Sequence, residues 1–137
     1  MVAESPSFSV LLIDDDIEEK RVVERVLAAL TDAPVQVDYA TRCSEGVGRL
    51  NRRGYDLVLL DNRLSRAISA EFSVPFIRSA FNRAPLAVIT TDTSPAYLQD
   101  PEQLGVDYVV DKADLIGFLR DRLADPRLPV AEQDGEL

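Results

Sequence analysis

The chain of 137 residues contains no histidine. That absence removes serine–histidine and cysteine–histidine nucleophile pairs, imidazole metal ligands and any phosphohistidine formed on the chain itself. A single cysteine, Cys43, leaves no disulfide framework and fits a reducing compartment. Cys43 itself reads as a small hydrophobe. No apolar run approaches the ~20 residues needed to cross a bilayer. The opening residues, MVAESPSF, lack the basic-then-apolar order of a secretion signal, so the expected location is the cytoplasm. A net charge of −9 disfavours nucleic acid and anionic membranes as partners. Only two lysines, Lys20 and Lys112, stand against thirteen arginines. Each lysine therefore raises the question of why an arginine would not serve there.

What is present is enough for one packed domain, with 46% apolar residues. Apolar runs at Ser9–Ile13, Val35–Tyr39, Asp56–Leu60, Leu86–Ile89 and Asp107–Val110 lack strict alternation, as strands covered on both faces do. Helical patterns lie between them. Val22, Val23, Val26, Leu27 and Leu30 mark one face of the first helix. Asp16 with Glu19 three residues later predicts a capping box at its start. Ser44–Arg53 is a weaker second helix, because Gly46 and Gly48 cost it stability. Leu115–Leu123 is the last. Repeated β-α units predict an α/β, doubly wound parallel sheet of five strands. Residues 1–7 and an acidic tail at 125–137 are expected to be flexible, flanking one domain at 8–124.

In such sheets, ligands bind beyond the carboxyl ends of the strands. The first strand runs into Asp14, Asp15 and Asp16, the third ends in Asp61, the fourth in Thr90-Thr91 and the fifth in Lys112. Carboxylates about 4 Å apart repel by ~4 kcal/mol at an effective dielectric near 20. Either the acids point apart into solvent or a cation sits among them.

These residues, in this order, resemble the receiver domain of two-component response regulators. The resemblance runs from about Phe8 to Leu123. Asp15 to Asp61 is 46 residues, Asp61 to Thr90 is 29 and Thr90 to Lys112 is 22, all normal for that family. It implies a flavodoxin-like (βα)5 fold with strand order 2-1-3-4-5. It implies Mg²⁺, with Mn²⁺ as a substitute, on Asp15 and Asp61 directly, on Asp14 through water and on the backbone carbonyl of Arg63. Asp61 is then the phosphoacceptor, with Lys112 and Thr90, or its neighbour Thr91, facing the phosphoryl oxygens. Asp16 reads as the helix cap. Arg63 and Asp92, two residues beyond Asp61 and Thr90, occupy positions that tune water access to the phosphoryl group. The donor is a sensor histidine kinase or a histidine phosphotransfer protein. Output is contact with a downstream protein or onward transfer, and the analogous homodimer uses the fourth helix, fifth strand and fifth helix. Such a chain is a signalling protein that helps catalyse its own phosphorylation and dephosphorylation. It is not a conventional enzyme.

The pattern also departs from that family. Ser65 and Ser69 stand where a proline and a glycine are usual, Val109 where an aromatic is usual and Ala113 where a proline is usual. Pro75 predicts a third helix kinked or restarted near Ser73. Pro95, Asp100-Pro101 and Gly105 predict a broken fourth helix, and the stretch from Thr93 to Leu104 is expected to be loose at rest. Tyr108 is expected to face away from Val109. Two other readings compete. One is an unphosphorylated pseudo-receiver serving as a binding module. The other is a haloacid-dehalogenase-like phosphatase, with Asp14 as nucleophile and Asp16 as acid.

Overall fold

Strand residues alternate between two apolar layers, and this alternation builds the molecule. The computed structural model describes residues 8–65, 68–80 and 82–124. The segments 1–7 and 125–137, expected to be flexible, lie outside the described residues. The order is β1 (Phe8–Ile13), α1 (Ile17–Leu30), β2 (Val35–Ala40), α2 (Cys43–Leu50), β3 (Leu57–Asp61), β4 (Arg63–Ser65), β5 (Ile68–Ser69), α3 (Ala70–Arg78), β6 (Leu86–Thr90), α4 (Pro101–Leu104), β7 (Tyr108–Asp111) and α5 (Leu115–Ala124). Short 3-10 turns at Ala96–Leu98 and Lys112–Asp114 precede α4 and α5.

Five strands form a parallel sheet in the order β2-β1-β3-β6-β7, which is the expected 2-1-3-4-5 winding. Leu11, Ile13, Val58, Leu60, Leu86 and Val88 face one layer with α2 and α3. Val10, Leu12, Leu57, Leu59, Ala87 and Ile89 face the other, with Val23 and Leu27 of α1 and Leu115 and Leu119 of α5. Apolar side chains cover both faces, so no polar alternation was needed in the strands. Each fully buried leucine contributes about 2–3 kcal/mol.

Two local expectations change. Asp16 caps α1, its side chain accepting from the Glu18 amide at 3.0 Å, but the capping box does not close. The Asp16 amide donates to Asp14 Oδ1 at 2.9 Å, and Glu19 reaches Lys112 instead. The third helix does not restart at Ser73, and α3 runs unbroken from Ala70 to Arg78. Pro75 removes only the bond to the Glu71 carbonyl, both residues are exposed, and the Ser73 hydroxyl donates to the Ser69 carbonyl at 3.1 Å. The loop after Asp61, which lacks the usual proline and glycine, carries the antiparallel pair β4–β5. The broken fourth helix is as expected. Asp100 caps it, accepting from the Gln103 amide at 3.2 Å, Pro101 opens it, and Gly105 closes it at φ 98°.

The two glycines of α2 differ. A Cβ on Gly46 would stand 2.5 Å from Ile13 Cδ1 and 3.1 Å from Ile13 Cγ1, in a side chain with no exposed surface. At Gly48 the nearest atom would be the Arg52 guanidinium, 3.8 Å away. Overpacking costs ~1–3 kcal/mol, against a helix gain near ~1 kcal/mol. Gly46→Ala is therefore expected to lower stability by about 1 kcal/mol and Gly48→Ala to raise it by ~0.5–1 kcal/mol. Urea midpoints of the two variants check the opposite signs.

Candidate functional site

The carboxyl ends of β1, β3, β6 and β7 bring the expected residues to one edge. The Asp14 amide donates to the Ala40 carbonyl of β2 at 3.0 Å, which fixes the turn out of β1. Asp14 itself is 1% exposed. Its Oδ1 accepts from the Asp16 amide, and its Oδ2 is buried with no hydrogen-bond partner among the described residues. Burial pushes its pKa from 3.8 to about 7; the Asp16 amide opposes the shift and Asp61 adds to it. A buried carboxylate oxygen without a partner costs free energy unless a proton or a cation meets it.

One carboxylate oxygen from each of Asp14, Asp15 and Asp61 lies within 4.8 Å of the others. Asp15 is exposed, so the cluster has an open side. Asp61 ends β3 in register with Ile89 of β6 and is largely buried. Burial raises its pKa; Lys112 and the Arg63 amide pull it back in part. Lys112 opens the 3-10 turn after β7, where Asp111 accepts from the Ala113 amide at 2.9 Å. Its ammonium stands 3.6 Å from Asp61 Oδ1. Desolvation opposes that charge, but Asp61, Glu19 and Asp14 outweigh it and hold the lysine pKa above its usual value.

Thr90 is the buried hydroxyl of the pair, and Thr91 is exposed. The Thr90 hydroxyl donates to the Asp92 carbonyl at 3.0 Å and accepts from its amide at 3.1 Å. The Asp92 carboxylate accepts from the Ser94 amide and hydroxyl, which lower its pKa. Arg63 is exposed on β4. Asp16 is exposed and engaged as the α1 cap, which argues against an acid role in a phosphatase. Tyr108 packs edge-on against Phe118, ring centroids 5.0 Å apart, and accepts from Arg122 at 2.8 Å, whereas Val109 packs in the opposite layer.

Two contacts escaped the sequence reading. Glu19 Oε1 lies 3.3 Å from the Lys112 ammonium, although 93 residues separate them. Its spacing from Asp16 matched a capping box, which hid the alternative. Asn62, buried beside Asp61, accepts from the Tyr97 hydroxyl at 2.8 Å and from the Ala70 amide at 3.2 Å. This bond ties the residue after Asp61 to the turn before α4. No local pattern marks it, because a tyrosine in a turn has no period.

The fold is that of response regulator receiver domains, the CheY-like version of the flavodoxin winding. The receiver domain of the sensor histidine kinase PA1611 from Pseudomonas aeruginosa PAO1, solved with magnesium in its active-site cleft, superposes with a TM-score of 0.67 at 22% identity over 86% of this chain and 98% of that one. A two-component response regulator from Clostridium difficile gives 0.69 at 20%, covering 86% and 97%. The chemotaxis protein CheY4 of Vibrio cholerae gives 0.67 at 22%, covering 83% and 97%. No protein-family model and no curated protein matches the sequence.

Proposed function

We propose that this chain is a phosphoacceptor receiver of a two-component phosphorelay. The observation that carries the reading is Asp61 itself, held between a lysine ammonium at 3.6 Å and a carboxylate cluster containing an unpartnered buried oxygen. The donor set is all oxygen, which suits Mg²⁺ or Mn²⁺. Asp14, Asp15 and Asp61, with the Arg63 carbonyl, would hold the ion. When bound, it supplies positive charge to neutralise phosphoryl oxygens.

Asp61 attacks phosphorus of a phosphohistidine on a sensor kinase or phosphotransfer protein. The P–N bond breaks and its electron pair returns to the imidazole. Lys112 neutralises one phosphoryl oxygen as a point charge. Thr90 exchanges its bond to the Asp92 carbonyl for one to another phosphoryl oxygen, which releases the loop after β6. That loop carries Tyr97, so the Tyr97–Asn62 bond reports on the same event. Without an aromatic at Val109, the signal leaves through this loop and α4 to a downstream protein. Arg63 and Asp92 regulate how water reaches the phosphoryl group.

The bonds between Thr90 and Asp92 also favour a second reading, a resting binding module that is never phosphorylated. Intact mass after incubation with Mg²⁺ and acetyl phosphate, then with a phosphorylated histidine kinase, separates the two. A single phosphoryl adduct is the expected result. No adduct from either donor leaves the binding module.

A further inference from the structure

The cation facing Asp61 is shared. The Lys112 ammonium lies 3.3 Å from Glu19 Oε1 and 3.6 Å from Asp61 Oδ1, and the three side chains are 23%, 16% and 13% exposed. Glu19 projects from the first turn of α1, where Asp16 has already taken over capping. It is thus a further carboxylate beside a site that must accept a dianionic group. With the side chains this sheltered, solvent screens the pair only in part.

Building on the receiver reading, we infer that Glu19 is a positioning residue that holds Lys112 back from the phosphoryl group and sets how readily Asp61 stays phosphorylated. At rest, Glu19 and Asp61 divide one ammonium, and Glu19 keeps the edge negative enough to attract a divalent cation. When Asp61 carries a phosphoryl group, Lys112 serves that group best by leaving Glu19. The abandoned carboxylate then faces the added negative charge. Glu19 accordingly favours the metal and opposes the phosphoryl group. Loss of its charge moves the two affinities in opposite directions, whereas damage to the fold weakens both.

The test is calorimetric titration of wild type, Glu19→Gln, Glu19→Ala and Glu18→Gln, first with Mg²⁺ alone and then with beryllofluoride at saturating Mg²⁺. Glu18 lies in the same turn and pairs with Arg21 at 2.8 Å, so its variant controls for a lost charge on α1. Each Glu19 variant is expected to bind Mg²⁺ several-fold more weakly and the phosphoryl mimic about fivefold more tightly, the size of one ion pair. Glu18→Gln is expected to change neither by as much as twofold. The inference is overturned if Glu19→Gln and Glu19→Ala leave both affinities unchanged, or weaken both, while wild type binds the mimic. Failure of wild type itself to bind beryllofluoride overturns the receiver reading and this inference together.

Discussion

Asp61→Asn is expected to abolish phosphorylation while leaving the protein folded. The carboxamide keeps the shape of the side chain but offers no anionic oxygen to attack phosphorus. The neighbouring acids differ from Asp61 in their surroundings. Asp14, in the same cluster, is 1% exposed, and Asp15 is exposed, whereas Asp61 has the Lys112 ammonium 3.6 Å from its Oδ1. Intact mass after treatment with acetyl phosphate and Mg²⁺ is therefore expected to show one adduct on wild type and none on the variant. The change also removes a desolvated charge, so thermal stability without Mg²⁺ is expected to hold or rise. An adduct surviving in Asp61→Asn would move the acceptor elsewhere and end the present assignment.

Asp14→Asn is expected to stabilise the metal-free protein at alkaline pH and to destroy Mg²⁺ binding. The folded pKa of Asp14, about 7, lies above its ordinary 3.8. A carboxyl group raised in this way favours the fold while it stays protonated. That contribution is complete below about pH 4 and is lost as pH climbs through about 7. The distance between the two values sets an upper limit of ~4 kcal/mol. Relaxation around the site lowers the realised value to about 2 kcal/mol. Asp61 is shifted in the same direction and adds to the slope, whereas Lys112, raised above 10.5, titrates outside this window. Without Mg²⁺, the thermal midpoint of wild type is expected to fall from pH 5 to pH 8, and that of Asp14→Asn to fall much less. Mg²⁺ is expected to restore wild type at pH 8, because an ion taken up by the ionised native site and not by the unfolded chain stabilises the fold. Parallel pH profiles for the two proteins would show that the unpartnered Asp14 oxygen costs nothing.

Much of this molecule is written locally. Runs such as Val10–Ile13 and Leu57–Leu60 are apolar without alternation, which only a sheet covered on both faces accommodates. Each of the five sheet strands appears within about a residue of its expected bounds. Asp14, Asp15, Asp61, Thr90 and Lys112 were legible because strand ends in a parallel sheet share one edge. The break at Asp100-Pro101 and the stop at Gly105 were legible because proline and glycine act on their own backbone.

Other features were settled by neighbours distant in sequence. Pro75 stays inside a continuous α3 because packing of Val74 and Ile77 outweighs one missing backbone bond. Glu19 leaves its expected cap because Lys112 arrives from the far end of the chain with a full charge, whereas the Asp16 amide finds Asp14. Tyr97 meets Asn62 across 35 residues. By itself the sequence determined a parallel sheet covered on both faces and which side chains gather at its edge, since both follow from periodicity and from residues ending strands, whereas the strand order was implied by the resemblance to receiver domains. Tertiary structure alone decided how those charges are shared among Asp14, Asp61, Lys112 and Glu19. The reason is physical: ion pairs and buried dipoles depend on distances of a few ångströms and on shielding from water, and neither is a property of spacing along the chain.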